Sequence, residues 1–188
     1  MIMLIRHAES MLVSSEPYIK ILSERGRKDA MDFILPLCMK PLYAVGGSVE
    51  FRSIETSTLI ASANAQVPIV LGSNSAFGDE IRMMNEFGID WKKFAEVRKL
   101  CSSNIEALKK VISSENINRI KEEIRSAIVK LANDFPAKNV LIGTHSPFLE
   151  LAIEIFSNEE FKKEARNLDW IIIDPVDGSI ANSSIEIL

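Results

Sequence analysis

The chain has 188 residues, 26% of them charged and 47% hydrophobic, with a formal net charge of −4. These are ordinary globular values at one-domain size, which excludes general disorder and offers no overall basic surface for nucleic acid. No stretch approaches the roughly 18–20 apolar residues of a membrane span, and the short apolar opening lacks the flanks of a signal peptide. A cytoplasmic protein is therefore expected, with neither nucleic acid nor membrane as a partner. Cys38 and Cys101 match no metal or redox spacing and are expected as reduced, small apolar residues.

In chain order, the apolar run at Met1–Ile5 predicts a strand buried on both faces, ending in Arg6-His7. Residues 11–22, with Pro17, read as loop or a short irregular helix. Ser23 is a good N-cap for a helix over ERGRKDAMDFILPL, with Ala30, Phe33, Ile34 and Leu37 on its apolar face and Pro36 ending or kinking it. Leu42–Val45 is a second strand closed by Gly46-Gly47, Glu50–Asn64 a helix, and Val67–Leu71 a third apolar run. Residues 72–90, rich in Gly and turn formers, read as a long loop. Together with the amphipathic helices Trp91–Leu100 and Asn104–Ile112 they make an excursion at about 72–112.

The clearest helix is Asn116–Phe135, where Ile117, Ile120, Ile124, Ile128 and Leu131 fall on one stripe that faces a core. Asn139–Gly143 is a fourth strand, followed by Thr144-His145-Ser146-Pro147 and a helix from Phe148 to Phe156. Trp170–Asp174 and Ile180–Leu188 are two strands around the turn Pro175-Val176-Asp177-Gly178. Alternating strands and helices imply one domain over 1–188, a three-layer α/β/α fold whose mainly parallel sheet carries one antiparallel edge.

Parallel strands present their C-terminal ends on one edge, where ligands bind in open α/β sheets. Here that edge collects Arg6 and His7 after the first strand, Arg52 after the second and His145 after the fourth. Arg is the residue type for bidentate contact with phosphate, and a His in such a site can carry a phosphoryl group. A lone His at a strand end is more often a hydrogen-bonded structural residue. Both His of this chain, however, sit at inferred strand ends, without the further regular ligands of a zinc site.

Four ordered segments resemble the histidine phosphatase superfamily, the phosphoglycerate mutase-like group. Arg6-His7-Ala8-Glu9-Ser10 resembles its Arg-His-Gly signature, and Leu22-Ser23-Glu24-Arg25-Gly26-Arg27 its Leu-Thr-x-x-Gly stretch. Ser48-Val49-Glu50-Phe51-Arg52-Ser53-Ile54-Glu55-Thr56 is similar to the Ser-Pro-x-x-Arg-Ala-x-x-Thr segment, and Val140–His145 to the late strand that delivers the second His. The resemblance implies a phosphoglycerate mutase-like fold and His7 as a nucleophile that becomes phosphorylated. Arg6, Arg52 and His145 would hold the phosphoryl oxygens with His7, and neither metal nor other cofactor is implied.

The family's proton donor comes from the loop after the third strand, where Asp79, Glu80, Glu86 and Asp90 are available. Glu80 suits the distance from the preceding strand and is preferred. Glu86 suits the local apolar-x-Glu context and is the alternate acid. Ala8 replaces the family Gly, Val13 stands where many members have Asn, Val49 replaces Pro, and Ser-Pro-Phe follows His145. The phosphate-binding core is thus kept, while the contacts a mutase makes with the rest of its substrate are not. The expected activity is a metal-independent phosphatase acting on a phosphorylated small molecule or protein. The alternatives are mutase-type phosphoryl transfer and a non-catalytic phosphate-binding domain. The sequence carries no signal for oligomeric state.

Overall fold

The apolar opening run forms a central strand of the computed structural model, which describes residues 1–15, 18–66 and 68–185. The first half of the chain supplies β1 (Ile2–Arg6), β2 (Ser10–Ser15), β3 (Tyr18–Leu22), α1 (Glu24–Asp32), β4 (Leu42–Gly47), α2 (Phe51–Ala63) and β5 (Ile69–Ser73). Then come α3 (Glu80–Phe87), α4 (Trp91–Arg98), α5 (Asn104–Val111) and α6 (Ser114–Asp134). The chain finishes with β6 (Asn139–Thr144), α7 (Phe148–Ser157), β7 (Trp170–Ile173) and β8 (Ile180–Ser183). Six strands make one sheet in the order β5-β4-β6-β1-β7-β8, and β2 pairs with β3 apart from it.

β5, β4, β6 and β1 are parallel, β7 runs against β1, and β8 runs against β7. The mainly parallel α/β sheet is as expected, but its reversed strand is β7, one place inside the edge that β8 forms. Alternate side chains of each central strand enter opposite cores. Ile2, Leu4, Val140, Ile142, Ile171 and Ile173 pack with α5, α6 and α7 on one face. Met3, Ile5, Leu141 and Ile172 pack with α1 and α2 on the other. This two-sided burial is why β1 reads as an unbroken apolar run.

Three expectations are corrected. Residues 11–22 are not loop or helix: β2 and β3 form an antiparallel hairpin with a bulge between Leu12 and Ser14. Met11, Leu12 and Val13 are all exposed there, so the hairpin lacks the alternation that marks a half-buried strand. The helix after Ser23 ends at Asp32, before Pro36, because Asn64 at the end of α2 takes up the following backbone. Its side chain donates to the Phe33 carbonyl and accepts from the Leu35 amide, at 2.8 and 3.1 Å. An extended stretch and a short 3-10 turn (Leu37–Met39) follow, in which Leu35 and Met39 turn inward while Ile34 and Leu37 are exposed, so 30/33/34/37 is not a helical face.

The third correction concerns 72–90, which holds a 3-10 turn at Ser75–Phe77 and then α3. Its turn formers are caps. Asp79 Oδ1 accepts from the Arg82 amide at 2.9 Å, and Gly88 closes the helix at φ 68°. Cys38 is exposed rather than packed as an apolar residue, and both cysteines are free. Expectations touching Pro17, Val67 and residues 186–188 lie outside the described residues. Among the described residues no helix is long and apolar enough to cross a membrane.

On α6 the predicted stripe faces the core, with Ile117, Ile120, Ile124 and Ile128 buried and Leu131 packed against them. Ile124→Ala removes three carbons from a close-packed site and should lower the unfolding free energy by about 2–5 kcal/mol. Urea denaturation reads this directly, and a loss typical of an exposed position would contradict the packing described.

Candidate active site

The register of the sheet brings the two histidines together. Arg6 pairs with Thr144 at the end of the β1–β6 ladder, and the His7 amide donates to the Thr144 carbonyl at 2.9 Å. His7 and His145 therefore leave adjacent strands side by side, with ring centroids 4.9 Å apart and planes 60° apart. β4 ends level with them, since Gly47 pairs with Gly143 and the Ser48 amide donates to the Gly143 carbonyl at 3.0 Å. From there α2 points its first turn at the pair. His7, Arg52 and His145 are 8%, 3% and 6% exposed, so the edge holds a guanidinium and two imidazoles largely out of water.

Each ring is fixed by what it touches. His7 Nδ1 lies 2.7 Å from the Ala8 carbonyl oxygen, which can only accept, so the proton sits on Nδ1. Nε2 is then a lone pair, and Arg52 Nε donates to it at 3.3 Å. Burial lowers the His7 pKa to about 3, against the raising contact with Ala8, and the Arg52, Arg6 and Lys20 charges lower it further. His7 is thus a neutral imidazole with a defined nucleophilic nitrogen.

His145 meets two hydroxyls at Nε2, Ser48 Oγ at 2.5 Å and Ser53 Oγ at 2.9 Å. Burial again, then the His7, Arg52 and Arg6 neighbours, keep its pKa well below the usual range. A serine donating to Nε2 leaves the proton on Nδ1, a buried atom with no hydrogen-bond partner among the described residues.

Two glycines are dictated by close approach. A Cβ on Gly26 would lie 2.0 Å from the Glu9 carbonyl oxygen, where α1 crosses the chain after His7. Gly78, at φ 132°, would place one 2.4 Å from the His145 ring. Thr56 ties the first strand's loop to α2, accepting from the Ala8 amide at 3.1 Å and donating to the Arg52 carbonyl at 2.7 Å.

The four carboxylates proposed for the acid separate cleanly. Asp79 caps α3 and Asp90 caps α4, accepting from Lys92 and Lys93 amides at 2.8 and 3.2 Å. Glu86 pairs with Arg82 at 3.0 Å and Arg119 at 3.4 Å, toward α6 and away from the histidines. Glu80 meets Arg52 Nη2 at 2.9 Å. The structure therefore gathers Arg6, His7, Arg52, His145 and Glu80, and turns Glu86 toward Arg82 and Arg119.

It also adds Glu50, which in the sequence is only one of two acidic neighbours for Arg52. Its carboxylate takes Arg52 Nη1 at 3.1 Å and accepts from the Glu80 amide, bracing α3 against the guanidinium. Burial, then the Glu80 charge, raises its pKa. Ser48 and Ser53 lie within the matched segment, and their hydroxyl types were the only signal of a contact with His145. Among the described residues no three His, Cys, Asp or Glu side chains gather as a metal site.

No protein-family model matches the sequence, and no curated protein is significantly similar to it. Solved structures do match its fold. A phosphoglycerate mutase from Bacillus anthracis superposes with a TM-score of 0.63 at 18% identity, over 98% of this chain and 91% of that one. A phosphoserine phosphatase from Entamoeba histolytica, in complex with 3-phosphoglyceric acid, gives 0.59 at 15% identity, over 98% and 96%. A mycobacterial glucosyl-3-phosphoglycerate phosphatase complexed with VO3 gives 0.53 at 13% identity, over 98% and 97%. The chain has the phosphoglycerate mutase-like fold that these structures share.

The His7 shift has a thermodynamic consequence. Between about 3 and 6.5 the unfolded imidazole binds a proton that the folded one does not. Its contribution to stability is complete above 6.5 and is lost as pH falls toward 3. Urea midpoints should fall over that window and fall less steeply for His7→Gln. Identical slopes would show that His7 is not held neutral by burial.

Proposed function

We propose that the chain is a metal-independent phosphatase that hydrolyses a phosphomonoester through a phosphohistidine on His7. The observation that carries this is the neutral His7 ring, locked by Ala8 so that Nε2 faces Arg52 beside His145. In the first step Nε2 attacks phosphorus and the bond to the leaving oxygen breaks. Glu80, in its acid form, gives its proton to that oxygen. The positive charge gained by the ring is shared through Nδ1–H with the Ala8 carbonyl. Arg6, Arg52 and His145 bind the phosphoryl oxygens where negative charge concentrates.

In the second step the Glu80 carboxylate takes a proton from water, whose oxygen attacks phosphorus. The N–P bond breaks, phosphate leaves and His7 is restored. Arg52 links the two halves of this chemistry, because one guanidinium touches the nucleophile, Glu50 and Glu80. Glu50 positions Glu80 by accepting from its amide while holding the same guanidinium. The contact of Glu80 with Arg52 favours hydrolysis over a binding-only reading. Val13, exposed on β2, offers no polar side chain for a second anionic group of a phosphoglycerate, which favours hydrolysis over mutase-type transfer.

His7→Ala should reduce turnover of p-nitrophenyl phosphate at mildly acidic pH by at least about 1000-fold. Undiminished turnover would overturn the proposal. Glu80→Gln should lower kcat by about 100–10,000-fold on alkyl phosphates, whose leaving groups need a proton. The loss should be much smaller on p-nitrophenyl phosphate, and Glu86→Gln should leave both substrates unaffected. The reverse pattern would make Glu86 the acid.

A further inference from the structure

Behind Arg6 lies a carboxyl to which the phosphatase mechanism gives no role. Glu150, in the first turn of α7, is 0% exposed. Glu154, one turn on, is neutralised by Lys109 and Lys121 at 2.7 and 2.8 Å. Glu150 has no ion-pair partner among the described residues, and its Oε2 is buried without a hydrogen bond.

Its other oxygen is fully engaged. Oε1 accepts from Ser146 Oγ and, at 3.2 Å, from the Ala165 amide. The same Ala165 residue turns its carbonyl to Arg6 Nη1. Ser146, next to His145, also accepts from Asn104 Nδ2 at 2.8 Å. Asn104 reaches Glu164 Oε1 at 3.0 Å, and Arg98 bonds both Glu164 and Asn104 Oδ1. One continuous polar chain therefore runs from Arg6 through Ala165 and Glu150 to the turn that delivers His145. A Leu or Met would fill the same space without desolvating a carboxyl, so packing alone gives no reason for Glu150.

We propose that Glu150 is a positioning residue for phosphoryl binding, setting Arg6 through the Ala165 peptide and the His145 turn through Ser146. The inference rests on the phosphatase reading of Arg6 and His145. Burial raises the Glu150 pKa to about 7, while the Ser146 and Ala165 contacts and then the Arg6 charge oppose the rise. Below that pH the neutral acid keeps the contacts of Oε1 and leaves the field of Arg6 whole. Above it, a carboxylate beside Arg6 cancels part of the charge offered to phosphate. The other charges around it are Arg98 on α4 and Glu164 after α7, which pair with each other, while His145 is neutral.

Calorimetric binding of inorganic phosphate to the full chain, compared with Glu150→Gln and Glu150→Leu, tests this from about pH 5.5 to 8.5. The ratio of wild-type to Glu150→Gln dissociation constants cancels the ionisation of phosphate itself. It should be near unity at the acid end and rise about fivefold at the alkaline end. Glu150→Leu, which loses the contacts of Oε1 as well, should bind roughly tenfold more weakly even at the acid end. If the Leu variant fails to fold, the Gln ratio decides. Wild-type binding with both variants unchanged at every pH overturns the inference and leaves the phosphatase reading standing. Failure of the wild-type chain to bind phosphate overturns that reading, and the inference with it.

Discussion

The hydrogen bond from the His7 amide to the Thr144 carbonyl closes the β1–β6 ladder, and the rest of the site depends on it. A parallel pair has one register that buries the right faces, and a slip of one residue would exchange the two cores of β1 and β6. With Ile2 opposite Val140, the fifth pair is Arg6 with Thr144, and the next residues on each strand are the two histidines. Packing of the apolar side chains of β1 and β6 on two faces thus sets the separation of two imidazoles. Nothing local to His7 or His145 could fix that distance alone.

Burying cationic groups at a sheet edge is costly unless each finds a partner or gives up its charge. This chain does both. The histidines stay neutral, and their ring protons are directed by a carbonyl and by two serine hydroxyls. Arg52 keeps its charge and is held on three sides, by His7, Glu50 and Glu80. That arrangement places the His7 ring and two carboxylates on the three nitrogens of one guanidinium, so in the proposed reaction the group that steadies the attack would also aim the proton donor. Arg6 is held from behind through the Ala165 carbonyl, at the head of the chain of contacts that ends on Glu150.

Much of this was legible in the sequence because it depends on local pattern. A two-sided buried strand is an apolar run, α2 has its Arg two residues in, and α6 shows an isoleucine stripe. The strand ends then follow from parallel topology. What was not legible depends on which way a side chain faces. Glu80 and Glu86 lie six residues apart, and only the packing of α3 turns the first toward Arg52 and the second toward Arg119. Asp79 and Gly88 are the start and stop of that helix, yet in a stretch with three glycines they look like breaks. The β2–β3 hairpin was hidden by its exposed apolar residues. Glu150 was hidden because a carboxylate in a helix ordinarily marks its wet face.

The account turns on which nitrogen of His7 is free to attack. The chain would be mixed with a phosphomonoester, quenched without acid, and the phosphorylated residue mapped by mass spectrometry and nuclear magnetic resonance. The Ala8 contact at Nδ1 predicts a phosphoryl group on His7 Nε2, formed in stoichiometric amount and lost on turnover. Phosphorylation at Nδ1, or hydrolysis of the ester with no phosphohistidine on His7, would contradict it.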